Sequence, residues 1–206
     1  MVLMPECNHP IKHPLAAPWT FYYEPDARSV PRSKRWLDCL TKLPSVAFVE
    51  DFWALWATLP RPSILHDSSV YLFRSDRPPS WESWPEGGRW IVTGTELNVD
   101  QLWEDLCLAM LGEQLEDAEA VCGGVCSARR LAVWTTRSAS ASEQHMLYAR
   151  LQELLNLGAE ASLTFKPHKP APETACTYGQ SSSQSARVAC VAQGSGLGAG
   201  AGTSSS

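Results

Sequence analysis

Residues 120–135 read AVCGGVCSARRLAVWT. Two apolar runs, 120–126 and 131–135, stand only four residues apart, and so short a connection joins antiparallel neighbours as a hairpin does. Further short runs rich in aromatic or β-branched residues lie at 19–23, 69–73, 89–93 and 162–165. Three stretches carry helical spacing instead: 48–59, 99–112 and 142–157. Ser45 and Asp100 are candidate starts, Pro60 stops the first, and Gly112 and Gly158 are natural ends for the others. The strands outnumber the helices and several adjoin directly. The reading is therefore α+β, one antiparallel sheet with helices on one face, and not an alternating parallel fold.

The 206 residues, 44% hydrophobic and 19% charged, suit one domain. Seventeen Lys and Arg against 22 Asp and Glu leave a net charge of -5, so the broad basic surface that tracks nucleic-acid backbones is missing and any such contact must be local. No apolar run approaches the ~20 residues of a membrane span and the start has no signal-peptide pattern, so a soluble intracellular protein is expected. Seven cysteines without CxxC pairing fit reduced thiols, and Cys122 and Cys126 lack a nearby His pair, so no metal is expected. All nine tryptophans fall at or before Trp134, whereas residues 171–206 end in SGLGAGAGTSSS. Such a composition buries too little apolar surface to offset chain entropy. The expected organisation is a loose N-terminus at 1–10, a folded domain at 11–170 and a disordered tail at 171–206.

Two helices carry more apolar surface than one core stripe requires. At ~100° per residue, Phe48, Phe52, Leu55 and Leu59 share one stripe of the first helix, while Val49 and Trp53 form a second beside it. On the next helix Val99, Leu102, Trp103, Leu106 and Met110 make the core stripe and Leu108 points roughly opposite. A wide arc wrapping into the core would explain this; so would an exposed row that receives a partner helix.

Trp36 follows RSVPRSKR and Trp81 follows DRPPS, polar and Pro-broken surroundings where loops are expected. Glu82 comes directly after Trp81. A carboxylate beside an aromatic can accept two hydrogen bonds from the edge of a flat ligand while the ring covers its face. Arg129 and Arg130 sit at the hairpin of the opening stretch, where a turn lets both guanidinium groups converge on one anion. Core caps for the tryptophans and solvated surface positions for the arginines are the plainer alternatives. EGGRW at 86–90 lacks the spacing of a phosphate-cradling loop, and no nucleophile and base pair accompanies these residues, so an enzyme is not expected.

In order along the chain, IKHPL (11–15), KRWLDCL (34–40), VEDFWALW (49–56), YLFR (71–74), PSWES (79–83), EGGRW (86–90), LWEDLCLAMLGEQ (102–114), VCGGV (121–125) and AVWTT (132–136) resemble the eukaryotic initiation factor 4E family, the cap-binding proteins of translation. The resemblance covers about residues 11–168. It implies a single curved antiparallel sheet of about eight strands with three helices on the convex face. On the concave face it implies a site for the 7-methylguanosine cap of mRNA, with no cofactor. Trp36 and Trp81 match the sandwiching tryptophans, Glu82 the carboxylate that reads the guanine edge, Trp134 the contact to the N7-methyl group, and Arg129 and Arg130 the basic pair on the cap phosphates. His13, Pro14, Val49, Trp53 and Leu108 match the dorsal site for the YxxxxLΦ helix of scaffold factor 4G and of repressor proteins. Trp19 and Trp36 place the chain with the members that carry tryptophan at both positions.

The resemblance thus implies a cytoplasmic factor, with the nucleus as a second compartment, that binds capped mRNA and recruits it for translation initiation through a 4G-type scaffold. Glu104 occupies a dorsal position that the family usually fills with an apolar residue. That keeps open a cap-binding repressor or specialised isoform with altered scaffold binding.

Overall fold

A computed structural model describes residues 11–30, 35–95, 97–115, 119–137, 140–158, 160–168 and 177–178. Eight strands form one antiparallel sheet: β1 (Pro14–Glu24), β2 (Thr41–Phe48), β3 (Ser69–Arg74), β4 (Gly88–Thr93), β5 (Val121–Ser127), β6 (Arg130–Thr135), β7 (Ser162–Pro167) and β8 (Thr177–Tyr178). Their spatial order is β2-β1-β3-β5-β6-β4-β7-β8. Three helices, α1 (Val49–Trp56), α2 (Val99–Leu111) and α3 (Ala141–Leu154), complete the α+β architecture expected from the hairpin.

Alternation along the strands divides the side chains between two faces. Trp19, Phe21, Leu72, Trp90, Val92, Leu131, Val133, Leu163 and Phe165 join Phe52 of α1, Trp103 and Leu106 of α2 and Leu151 of α3 in the main core. The residues between them, Tyr22, Tyr71, Phe73, Val125, Ala132 and Trp134, form a smaller cluster on the opposite face, which carries no helix. A hairpin turn of two residues, Ala128 and Arg129, joins β5 to β6, with Ser127 opposite Arg130. Gly87 and Gly88 let β4 slide between its neighbours: a Cβ on Gly87 would meet the Thr135 carbonyl oxygen at 2.0 Å and one on Gly88 the Phe165 ring at 2.3 Å.

Several local expectations are corrected. β2 has no counterpart among the strands read from sequence, because Pro44 interrupts the pattern and only Val46 is buried. At the sheet edge such a strand needs one partner and tolerates proline. Ser45 therefore lies in β2 and does not cap α1. The helix begins after Phe48, and the Val49 amide donates to the His13 carbonyl at 2.9 Å, so the residue just before β1 supplies an acceptor to the helix start in place of a capping side chain. In α2 the cap is Asn98, whose side chain accepts from the Gln101 amide; Asp100 instead receives the Ser63 amide and hydroxyl. Ser140 and Glu143 form a capping box on α3, and that helix ends at Leu154, ahead of Gly158, with Asn156 at φ 44° in the left-handed region that asparagine tolerates. Thr177 and Tyr178, placed by sequence in the disordered tail, pair with Thr164 and Leu163, giving β7 a partner for its open edge. The rest of 171–206, and the N-terminal segment 1–10, lie outside the described residues.

Candidate functional site

The helix-free face holds a cavity of about 540 Å³. Its floor is the smaller aromatic cluster, where Tyr71 of β3, Val125 of β5, Ala132 and Trp134 of β6 and Ile91 of β4 turn to the same side. Its walls come from two loops. Trp36 opens a short 3-10 turn (Trp36–Cys39), and Trp81 and Glu82 sit on a turn held by Ser83 N–H donating to the Ser80 carbonyl and Trp84 N–H to the Trp81 carbonyl. The two rings are 40% and 53% exposed, whereas Trp19, Trp90 and Trp103 are sealed in the core. Exposed indoles facing a cavity are platforms for a flat ligand.

Glu82 is exposed, and its carboxylate has no hydrogen-bond or ion-pair partner among the described residues. Arg130 lines the cavity and Arg129 does not: Arg129 belongs to the turn, while Arg130 is the first residue of β6 and shares the face of Ala132 and Trp134. Of the expected pair, the structure brings only Arg130 to the cavity lining. Two further cations line it: Arg35, which is paired with Asp38, and Arg89 of β4, beside Trp134 in the β4–β6 register. Sequence reasoning passed over it, although the alternation that buries Trp90 and Val92 already assigns Arg89 and Ile91 to the other face. Burial, then the like charge of Arg130, lowers the Arg89 pKa. Two guanidinium groups lining one cavity form a site ready for an anion.

Trp134 is 6% exposed, with the Phe73 ring edge-on at 5.4 Å and the His168 imidazole 4.4 Å away. Its Nε1–H has no partner among the described residues. Burial, and then the Arg89 charge, pushes the His168 pKa down to about 4, so the imidazole is neutral near pH 7.

On the helix-covered side a second, apolar groove of about 390 Å³ runs between the start of β1 and helices α1 and α2. Pro14, Val49, Trp53 and Leu108 line it, and the last three are each more than a third exposed. The surplus apolar stripes therefore stay outside the core and meet in one place. His13 stands beside the groove without lining it; its Nδ1 lies 2.6 Å from Glu50 Oε1 and its amide donates to Glu50 Oε2. That hydrogen bonding holds the Glu50 pKa down at about 2. Glu104 faces a different, polar cavity with Trp56, Arg61 and Gln101, and is not part of the apolar groove. Among the described residues no cluster of three or more His, Cys, Asp or Glu suited to a metal occurs, and no helix is long and apolar enough to cross a membrane.

The family model for eukaryotic initiation factor 4E matches residues 14–182. Eukaryotic translation initiation factor 4E1 of Drosophila melanogaster is 33% identical over 173 residues, which cover 79% of this chain and 65% of that protein. Among solved structures, eIF4E-3 of Ascaris suum in complex with an m2,2,7G cap superposes with a TM-score of 0.71 at 30% identity, covering 80% of this chain and 96% of that one. Schistosome eIF4E complexed with m7GpppG and 4E-BP gives a TM-score of 0.70 at 28% identity, covering 83% of this chain and 98% of that one. With its motifs, its sheet order and these matches in agreement, the chain belongs to the eukaryotic initiation factor 4E family.

Proposed function

We propose that the protein binds the 7-methylguanosine cap of mRNA in the cavity of the helix-free face and recruits the message for translation initiation through a 4G-type scaffold helix seated in the apolar groove. The carrying observation is that one cavity unites two exposed indoles, an unpaired carboxylate and the guanidinium groups of Arg89 and Arg130. N7-methylation makes guanine cationic, so each indole face adds cation–π attraction of ~0.5–2 kcal/mol to stacking. Glu82 accepts the N1–H and N2–H donors in two charge-assisted bonds of ~1.5–3 kcal/mol each. Arg130 and Arg89 hold the phosphates, and Trp134 backs the methyl group. The protein acts as a binding factor, not an enzyme, in the cytoplasm and secondarily in the nucleus.

The caps named for the Ascaris and schistosome relatives support this reading, and the 4E-BP named with the schistosome structure supports the groove as a partner site. The repressor or specialised-isoform alternative turns on Glu104, which stands one helical turn from Leu108 on α2 and lines the neighbouring polar cavity. Retention on 7-methylguanosine resin, followed by capture of a YxxxxLΦ peptide on the loaded resin, tests both halves. A protein that passes through the resin, or that holds cap and ignores the peptide, contradicts the corresponding half.

A further inference from the structure

We propose that Glu24 is a positioning residue for the Trp36 wall of the cavity: its carboxylate, anchored by the buried Tyr71 hydroxyl, holds the exposed indole in place before any ligand arrives. The proposal rests on the cap-binding reading above.

Glu24 is the last residue of β1 and lies on the helix-free face, in step with Tyr22. A carboxylate at that point would ordinarily turn to solvent. Here each of its oxygens has a protein donor. Trp36 Nε1–H donates to Oε1 at 2.5 Å, and the Tyr71 hydroxyl donates to Oε2. The triangle closes through the rings, because Trp36 meets Tyr71 edge-on with centroids 6.1 Å apart and planes at 67°. Tyr71 is 5% exposed and packs on Phe73, so its hydroxyl is a fixed point on the central strand β3. The same burial, together with the bond to Glu24, raises the Tyr71 pKa and keeps it a donor.

Trp36 needs such support. It stands on a four-residue 3-10 turn, and 40% of it is in water. An exposed side chain moves among rotamers, and a ligand that stacks on it must bear the cost of fixing it, worth about two- to tenfold in affinity. Glu24 removes that cost in advance by fixing the ring through its N–H, leaving the ring face free. The charged acceptor on the indole edge also adds electron density to a ring that is to face a cation.

The experiment is a double-mutant cycle on the full chain, with m7GTP binding followed by fluorescence quenching. Glu24→Ala should weaken m7GTP by about fivefold, the scale of immobilising one side chain. In a Trp36→Phe background, which keeps a stacking ring and has no N–H, the same change should alter affinity by less than about twofold, because the coupling has no second partner. Glu24→Gln keeps an acceptor and should retain most of the affinity. Tyr71→Phe leaves the strand packed and should lose about twofold. In the ligand-free protein the Trp36 indole N–H resonance should exchange slowly with water and become fast in Glu24→Ala, with the other indole resonances unmoved. Equal loss in both backgrounds, or an unchanged Trp36 resonance, overturns the positioning role while leaving cap binding intact. A wild-type protein that ignores m7GTP overturns the cap-binding reading, and this proposal with it.

Discussion

Trp134 gives the sharpest separation between packing and recognition. It is 6% exposed, so replacing it with alanine removes nearly all of the burial of a side chain worth 150–250 Å², or about 4–6 kcal/mol at ~25 cal/mol per Å². Its buried Nε1–H has no protein acceptor among the described residues, and removing an unsatisfied donor returns about 1–3 kcal/mol. The net expected cost of Trp134→Ala is thus about 3 kcal/mol, which for a domain of this size lowers the melting temperature by about 6–12 °C. Trp134→Phe fills most of the same space against Phe73 and removes the orphan donor, so it should cost less than about 1.5 kcal/mol. Thermal melts by circular dichroism, with urea titration as a check, measure both. On m7GTP, Trp134→Phe should weaken binding while the fold persists, and that variant, not the alanine, reports on recognition. A melting temperature for Trp134→Ala within 2 °C of wild type would refute the packing argument.

The other predictions separate neighbouring residues. Arg130→Ala should weaken m7GTP far more than the 7-methylguanosine nucleoside and flatten the salt dependence, whereas Arg129→Ala should do neither; equal effects in a salt titration would return Arg129 to the phosphate site. Trp53→Ala should destabilise much less than Phe52→Ala, whose 2% exposed ring predicts a loss of ~3–5 kcal/mol, and should abolish YxxxxLΦ peptide binding in a pull-down with cap affinity intact. For pH, the His168 pKa is depressed to about 4, so the unfolded chain takes up its proton first and stability falls as pH drops from ~6.5 toward 4. His168→Gln should reduce the slope of melting temperature in that window. The depressed Glu50 pKa places its own loss lower, as pH falls from the ordinary carboxylate value of 4.5 toward 2.

What could be read in advance follows from periodicity. The hairpin of β5 and β6, the stripes of α1 and α2 and the loop tryptophans are local patterns, and each found its place. β2 was illegible because an edge strand with Pro44 buries one residue, so alternation is weak. Helix starts failed where the acceptor came from elsewhere in the chain, as His13 serves Val49. Arg130 and Arg129 differ only in which of them begins the strand, a one-residue distinction that decides the face. Arg89 was legible in its strand's alternation but masked by the glycines before it. Glu24 was not legible at all, since its meaning depends on Trp36 and Tyr71, 12 and 47 residues away.

The most direct test of the central claim is a tryptophan-fluorescence titration of the full chain with m7GTP and, in parallel, with unmethylated GTP. Both ligands offer the same triphosphate to Arg130 and Arg89 and the same guanine edge to Glu82, and only one carries the cationic ring that Trp36 and Trp81 are arranged to hold. The account predicts saturable quenching by m7GTP and binding of GTP weaker by at least about fivefold, the lower end of two cation–π contacts. Equal affinity for the two, or no quenching by m7GTP, would contradict it.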